Sequence, residues 1–168
     1  GSHALQLNTT AGNNSAFGHR ALDANTTGAD NNAFGSGALG ANTTGGDNNA
    51  FGRVALTANT TGASNTAMGH ACLDANTTGN YNSAFGSESL TNASTASNNS
   101  AFGYRALKET TTGTENAAFG AYALQENLGS YNSAFGDQCL DANTTGTRGT
   151  AVGNNALTNN TTGGYNTA

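Results

Sequence analysis

The sequence predicts an all-β fold: a parallel β-solenoid wound from ten coils of 17 residues. Three observations predict it. The chain repeats from Ala4 onward, reading ALQLNTTAGNNSAFGHR, ALDANTTGADNNAFGSG, ALGANTTGGDNNAFGRV and ALTANTTGASNTAMGHA in succession. Leucine holds one register without exception, at 5, 22, 39, 56, 73, 90, 107, 124, 140 and 157. Glycine recurs near repeat positions 8 and 15, where a coil has to turn. A short fixed period of this kind marks an architecture whose units cannot bury a core alone and must stack.

The copies begin at Ala4, Ala21, Ala38, Ala55, Cys72, Ser89, Ala106, Ala123, Cys139 and Ala156, each first residue being position 1 of its repeat. The Ala123 copy is one residue short, with ENLG where others read ANTTG, and the last copy stops at Ala168. The consensus is A-L-x-x-N-T-T-G-x-x-N-(S/T/N)-A-F-G-x-x. Gly1, Ser2 and His3 resemble the scar of a cleaved expression tag, so the solenoid is read over 4–168 as a single domain.

Each element of the prediction has a physical reason. Seventeen residues with two glycines and an N-T-T-G tetrad do not hold a helix pair: Asn, Thr and Gly are poor helix formers, and the apolar residues lack a 3.6 spacing. Two short segments of strand type are predicted per copy, one on N-S-A-F-G and one on A-L-x. Glycines at positions 8 and 15 separate them, as tight turns with positive φ require. Stacked coils place like residues about 4.8 Å apart, so ten coils form a rod of roughly 45–50 Å.

The Phe ladder (Phe17, Phe34, Phe51, Phe85, Phe102, Phe119, Phe135, with Met68 and Val152 substituting) and the Leu ladder (Leu22, Leu39, Leu56, Leu73 and onward) are expected to share the core. Alanine at repeat positions 1 and 13 keeps the layers thin. Two Asn ladders are structural. One includes Asn25, Asn42, Asn59 and Asn76; the other runs from Asn14 to Asn166. Stacked amides hydrogen-bond from layer to layer. Few large apolar side chains per coil make a thin core with an Ala-lined face in need of cover, which predicts self-association, most simply as a homotrimer.

Composition removes several function classes. Only 35% of residues are hydrophobic and 9% are charged, with no proline or tryptophan and a net charge of -5. Disordered chains usually combine low hydrophobicity with high charge and abundant Pro, Glu and Lys, a profile this chain lacks. Five Lys and Arg residues form no basic stripe, so no nucleic-acid partner is expected. No apolar run reaches the 18 or so residues of a membrane span, so no membrane insertion is expected.

The segment N-S-A-F-G-x-x-A-L, at Asn14–Leu22 and, with Ser89 for Ala, at Asn82–Leu90, resembles the head repeats of trimeric autotransporter adhesins. The fuller pattern A-L-x-A-N-T-T-G-x-x-N-T-A-x-G is still more similar to repeats of bacteriophage tail-fibre proteins. The resemblance spans residues 4–168. It implies a left-handed parallel β-roll assembled as a trimer. It also implies a structural or adhesive role on a virion tail fibre or an extracellular cell surface. The 17-residue period differs from about 14 in the adhesin heads.

Candidate chemistry is sparse. Cys72 and Cys139 both occupy position 1, four coils and roughly 19 Å apart, beyond the about 7 Å limit of a disulfide; each reads as a small buried thiol replacing alanine. His19 and His70, at position 16, lie too far apart to share a metal. No carboxylate pair is set for acid–base work, and no nucleotide-loop, zinc or calcium motif occurs, so neither an enzyme, a metal site nor a cofactor is expected. The N-T-T sequons at Asn25 and Asn59 follow from the consensus.

Adjacent threonines favour a turn over the T-x-T pattern of a flat ice-binding face. A free-standing Thr/Asn-ladder solenoid binding ice or a crystalline glycan is the alternative reading. Variable positions 10, 16 and 17 carry Tyr and Arg on turns expected to project. Tyr81, Tyr104, Tyr122 and Tyr131 are therefore the candidate ligand contacts, with host-cell surface polysaccharide the expected partner, because aromatic faces suit sugar rings.

Overall fold

The computed structural model describes all 168 residues. Nine three-residue strands run in chain order: β1 Ser15–Phe17, β2 Asn32–Phe34, β3 Asn49–Phe51, β4 Thr66–Met68, β5 Ser83–Phe85, β6 Ser100–Phe102, β7 Ala117–Phe119, β8 Ser133–Phe135 and β9 Thr150–Val152. They form one parallel sheet in the order β1 to β9. Equivalent residues pair throughout, Phe34 with Phe51 and Ala33 with Ala50 for example. This is an all-β parallel solenoid of eight strand-to-strand turns, without a helix, and a bridge from Thr150 to Thr167 extends the ladder.

The short Ala123 copy leaves the stack intact. Its strand still pairs in register, Ala117 with Ser133 and Phe119 with Phe135. The lost residue comes from the Thr-Thr corner, where Leu128 alone donates its N–H to Thr144 O at 2.8 Å.

Only one of the two expected strand segments is a strand. The A-L-x segment is a turn, and its leucine takes the left-handed conformation in every copy, with φ of 52° at Leu22, Leu39, Leu56 and Leu73. A branched side chain there costs about 1–2 kcal/mol. Three gains offset it. The side chain is fully buried in Leu22, Leu39 and Leu56, which stabilises by about 1.5–3 kcal/mol. Leu39 N–H donates to Ala55 O at 3.0 Å, and Leu39 O accepts from Asn42 N–H at 3.1 Å.

The core is Leu, Ala and Asn, not Leu and Phe. Leucine at position 2, alanine or cysteine at position 1 and alanine at position 13 are buried along the stack in one continuous cluster. The Phe column instead lies on the outside, with Phe17 63% exposed and Phe34 36% exposed. The reason is strand geometry: neighbours in a strand point to opposite faces. The residue turned inward is the alanine just before each ring, as in Ala33, Ala50 and Ala67, all fully buried. The expected Ala-lined face is therefore already covered within one chain, and the uncovered face is the Phe face.

The two glycine positions differ. Position 15 needs an unusual backbone, φ 146° at Gly35 and 143° at Gly52. Position 8 does not. There a Cβ on Gly62 would strike Asn59 Oδ1 and the carbonyl oxygen of Gly79 in the next layer. Where the position-5 asparagine is replaced by Ala93, position 8 is Ala96 rather than Gly, and both are buried.

Both Asn ladders bond from layer to layer. At position 5, Asn59 Nδ2 donates to Asn42 Oδ1 at 2.8 Å and to Gly62 O at 2.9 Å, while Asn76 Nδ2 donates to Asn59 Oδ1 at 2.8 Å. At position 11, Asn48 Nδ2 donates to Gly62 O at 2.9 Å, and Asn48 Oδ1 accepts the backbone N–H of Asn65 at 3.0 Å. A buried amide has to be paired in this way. Within the ladders the exception is Asn76 Oδ1, left without a donor where the next copy has Ala93 in place of asparagine; Gln125 Oε1, at position 3, is unpaired as well.

Candidate interaction faces

Above the sheet, positions 12 and 14 face outward together. Position 14 carries the aromatic column, whose rings stack nearly parallel: 4.9 Å between centroids for Phe34 and Phe51, 4.7 Å for Phe102 and Phe119. Position 12 carries Ser, Asn, Thr or Ala beside it. Taking about 200 Å² for an aromatic side chain, the stripe from Phe17 to Val152 exposes on the order of 500–700 Å² of apolar surface. The largest patch on an ordinary monomer is about 300–600 Å² and often functional. Partial burial of each ring by its stacked neighbours leaves one outer surface for a partner.

Two rims border this face, position 10 before the strand and positions 16 and 17 after it. Positions 10 and 17 are left-handed in every copy, for example Asp47 at φ 59° and Arg105 at φ 58°. The rims carry the candidate tyrosines in two groups. On the second rim, Tyr104 and Tyr122 from adjacent layers meet edge to face at 5.3 Å. Arg105 lies 4.9 Å over the Tyr104 ring and donates from Nε to Glu88 Oε2 at 2.8 Å. On the position-10 rim, Tyr131 does not join them; Arg148 sits 5.0 Å over its ring and 5.4 Å over that of Tyr165. Tyr81, 65% exposed, stands alone on the same rim. The sequence reading missed Arg148 and Tyr165 as partners of Tyr131; their shared position 10 in consecutive copies was the available signal.

The threonine pair divides its roles. The first of each pair turns inward along the stack: Thr43 Oγ1 donates to Thr60 O and Thr60 Oγ1 to Thr77 O, each at 3.0 Å. The second, as in Thr44 and Thr61, is exposed, and the row is interrupted at Leu128. Hydroxyls of the first row are thus committed to backbone carbonyls.

Cys72 and Cys139 are free and buried. Burial raises the Cys72 thiol to about 11, against smaller downward pulls from Ser89 and the Met68 backbone. Neither thiol reaches the surface, so a bridge between subunits has no accessible sulfur. His70 is instead engaged by Arg53, whose Nη2 lies 2.8 Å from its Nε2.

Position 3 holds the remaining buried polar strain. There Thr57, Thr91 and Thr158 donate their hydroxyls to the carbonyls of Gly37, Ala71 and Gln138. Asp74 and Asp141 have no proton to donate when ionised, and Oδ1 of each is buried without a partner. Burial raises both carboxyls above the usual range. His70 opposes the rise at Asp74, and Glu126 and Asp137 add to it at Asp141.

Comparison with protein-family models, curated proteins and solved structures returns no match.

Proposed function

We propose that this chain is a rod-like structural segment of a trimeric phage tail fibre or bacterial surface adhesin, carried on a virion tail fibre or an extracellular cell surface. The single observation that supports it is the uninterrupted apolar stripe on an otherwise polar rod. Its area approaches the ~800 Å² that each partner gives to a standard interface. Its spacing repeats layer by layer, so a second copy of the chain offers a matching surface along its full length. We read the stack as ten coils, from the copy that begins at Ala4 to the copy that begins at Ala156. Three copies placing their Phe faces toward a common axis bury the stripe and leave the outer turns free. In this reading Tyr81, Tyr104, Tyr122 and Tyr131 stand along the seams between subunits, where they are the first candidates for contact with host-surface polysaccharide.

The test is sedimentation equilibrium of the purified chain. A mass three times the 16.7 kDa of one chain supports the reading, and a monomer at all concentrations contradicts it. Thermal hysteresis in the same sample separates the ice-binding alternative, which requires it.

A further inference from the structure

We propose that copies of this chain associate in parallel and in register, each position-10 rim docking on the neighbour's position-16/17 rim, with the match fixed by opposite charges. The inference rests on the self-association proposed above and adds its polarity, register and contact residues.

It starts from the charges that the single chain leaves unused. Ion pairs within the chain join Arg20 to Asp23, Arg105 to Glu88 and Lys108 to Glu109. Asp30, Asp47 and Glu115 take part in none of these, and all three are exposed on the position-10 rim. The fourth charge on that rim is Arg148, also exposed.

The opposite rim supplies a complement at each height. A residue at position 10 lies, by its place in the coil, between the 16/17 pair of the preceding layer and that of its own. Asp30 thus falls within one layer of Arg20, Asp47 of Arg53, Glu115 of Arg105 and Arg148 of Asp137. In all four cases the sign is opposite, and no like-charged residue falls within that window. Where the position-10 residue is uncharged the rim is Asn13, Ser64, Tyr81, Asn98, Tyr131 and Tyr165. Glu88, the one acidic residue of the second rim without a match, pairs within the chain with Arg105, which Glu115 of the neighbour would share, as Asp30 would share Arg20 with Asp23.

Within one chain these rims cannot meet. Asp47 and Arg53 lie on opposite sides of β3, whose three extended residues alone span about 10 Å. Two parallel copies that turn their Phe faces toward each other bring unlike rims together. Antiparallel copies related by a twofold axis across the rod bring like rims together and lose this four-for-four match. Charge complementarity of this kind fixes register and suppresses wrong pairings more than it adds affinity.

The test is cysteine cross-linking on the full chain. The native thiols are buried, so added ones report alone. Position 10 already accepts Tyr and Arg in the same backbone conformation, so Asp47→Cys is compatible with the fold; Arg53 is exposed. The chain carrying both Asp47→Cys and Arg53→Cys is oxidised under native conditions and run without reductant. The expected result is conversion of most of the chain to covalent multimers, with little from either single variant. An intrachain bridge is excluded by the disulfide reach of about 7 Å. Multimers from a single variant as efficiently as from the double, or none from the double in a sample whose sedimentation shows an oligomer, overturn the rim pairing but leave self-association standing. A monomeric parent chain overturns both.

Discussion

Replacing Asn59 by alanine removes one rung of the position-5 ladder and tests whether the amides hold the stack. Three hydrogen bonds disappear: from Asn59 Nδ2 to Asn42 Oδ1, from Asn59 Nδ2 to Gly62 O, and from Asn76 Nδ2 to Asn59 Oδ1. Not all three partners are stranded. Gly62 O keeps a donor in Asn48 Nδ2, and Asn76 Nδ2 keeps Gly79 O. Asn42 Oδ1 loses the donor that paired it and is buried. A net hydrogen bond is worth about 1 kcal/mol, and a stranded buried acceptor costs about 1–3 kcal/mol. The two bonds whose other partner stays paired, at about 1 kcal/mol each, and the one stranded acceptor together give a loss of about 3–5 kcal/mol. Thr61→Ala, which removes an exposed hydroxyl in the same copy, serves as the control and is expected to stay within about 0.5 kcal/mol. Urea unfolding followed by circular dichroism measures both. A loss under about 1 kcal/mol for Asn59→Ala, no more than one ordinary hydrogen bond, refutes the view that the amide column is a structural element.

Three further outcomes are expected. Gly62→Ala destabilises strongly because its Cβ meets Asn59 Oδ1; in the Asn59→Ala background the cost falls, and a double-mutant cycle by urea unfolding reads the coupling. Asp74 has a folded pKa raised, by burial, above its unfolded value of about 3.9, so the folded state holds the proton more tightly. Stability therefore rises as pH falls through the folded value and levels off below the unfolded one. Melting temperature against pH shows this slope, and Asp74→Thr, which restores the hydroxyl used by Thr57 and Thr91, reduces it and stabilises by about 1 kcal/mol. Changing Phe34, Phe51 and Phe85 together to serine leaves the β-sheet circular dichroism intact but abolishes association in sedimentation, because these rings lie outside the core.

The layer-to-layer register was legible in the sequence, since invariant Leu and near-invariant Asn at one spacing have few other meanings. The layer-to-layer bonding of both Asn ladders followed from the same argument, whereas the alanine face was expected to need cover and is buried within the chain. Three features were not read. Leu at position 2 reads as a strand residue because nothing local marks a left-handed leucine; the conformation is imposed by packing that only the stack supplies. Phe at position 14 reads as core by its hydrophobicity. The alanine before it held the contrary signal, since adjacent strand residues cannot both face inward, and it is Phe, not Ala, that gives way to Met68 and Val152. The role of glycine at position 8 was hidden for a related reason: its constraint comes from Asn59 and its equivalents and from the next coil, not from its own φ. Of the candidate site, Tyr104 and Tyr122 were correctly placed in adjacent layers, whereas the shared position 10 of Tyr131, Arg148 and Tyr165 was a signal the reading did not use.

Each 17-residue copy adds one layer to a straight stack, and spin labels at position 16 measure this directly, in samples diluted with unlabelled chain so that only intrachain pairs report. At about 4.8 Å per layer, labels replacing Ser36 and Tyr104, four layers apart, lie about 19 Å from each other, and labels replacing Ser36 and Asn154, seven layers apart, about 34 Å. Distances that rise in this proportion agree with the stack. Two similar distances, or a shorter one for the pair farther apart in sequence, contradict it.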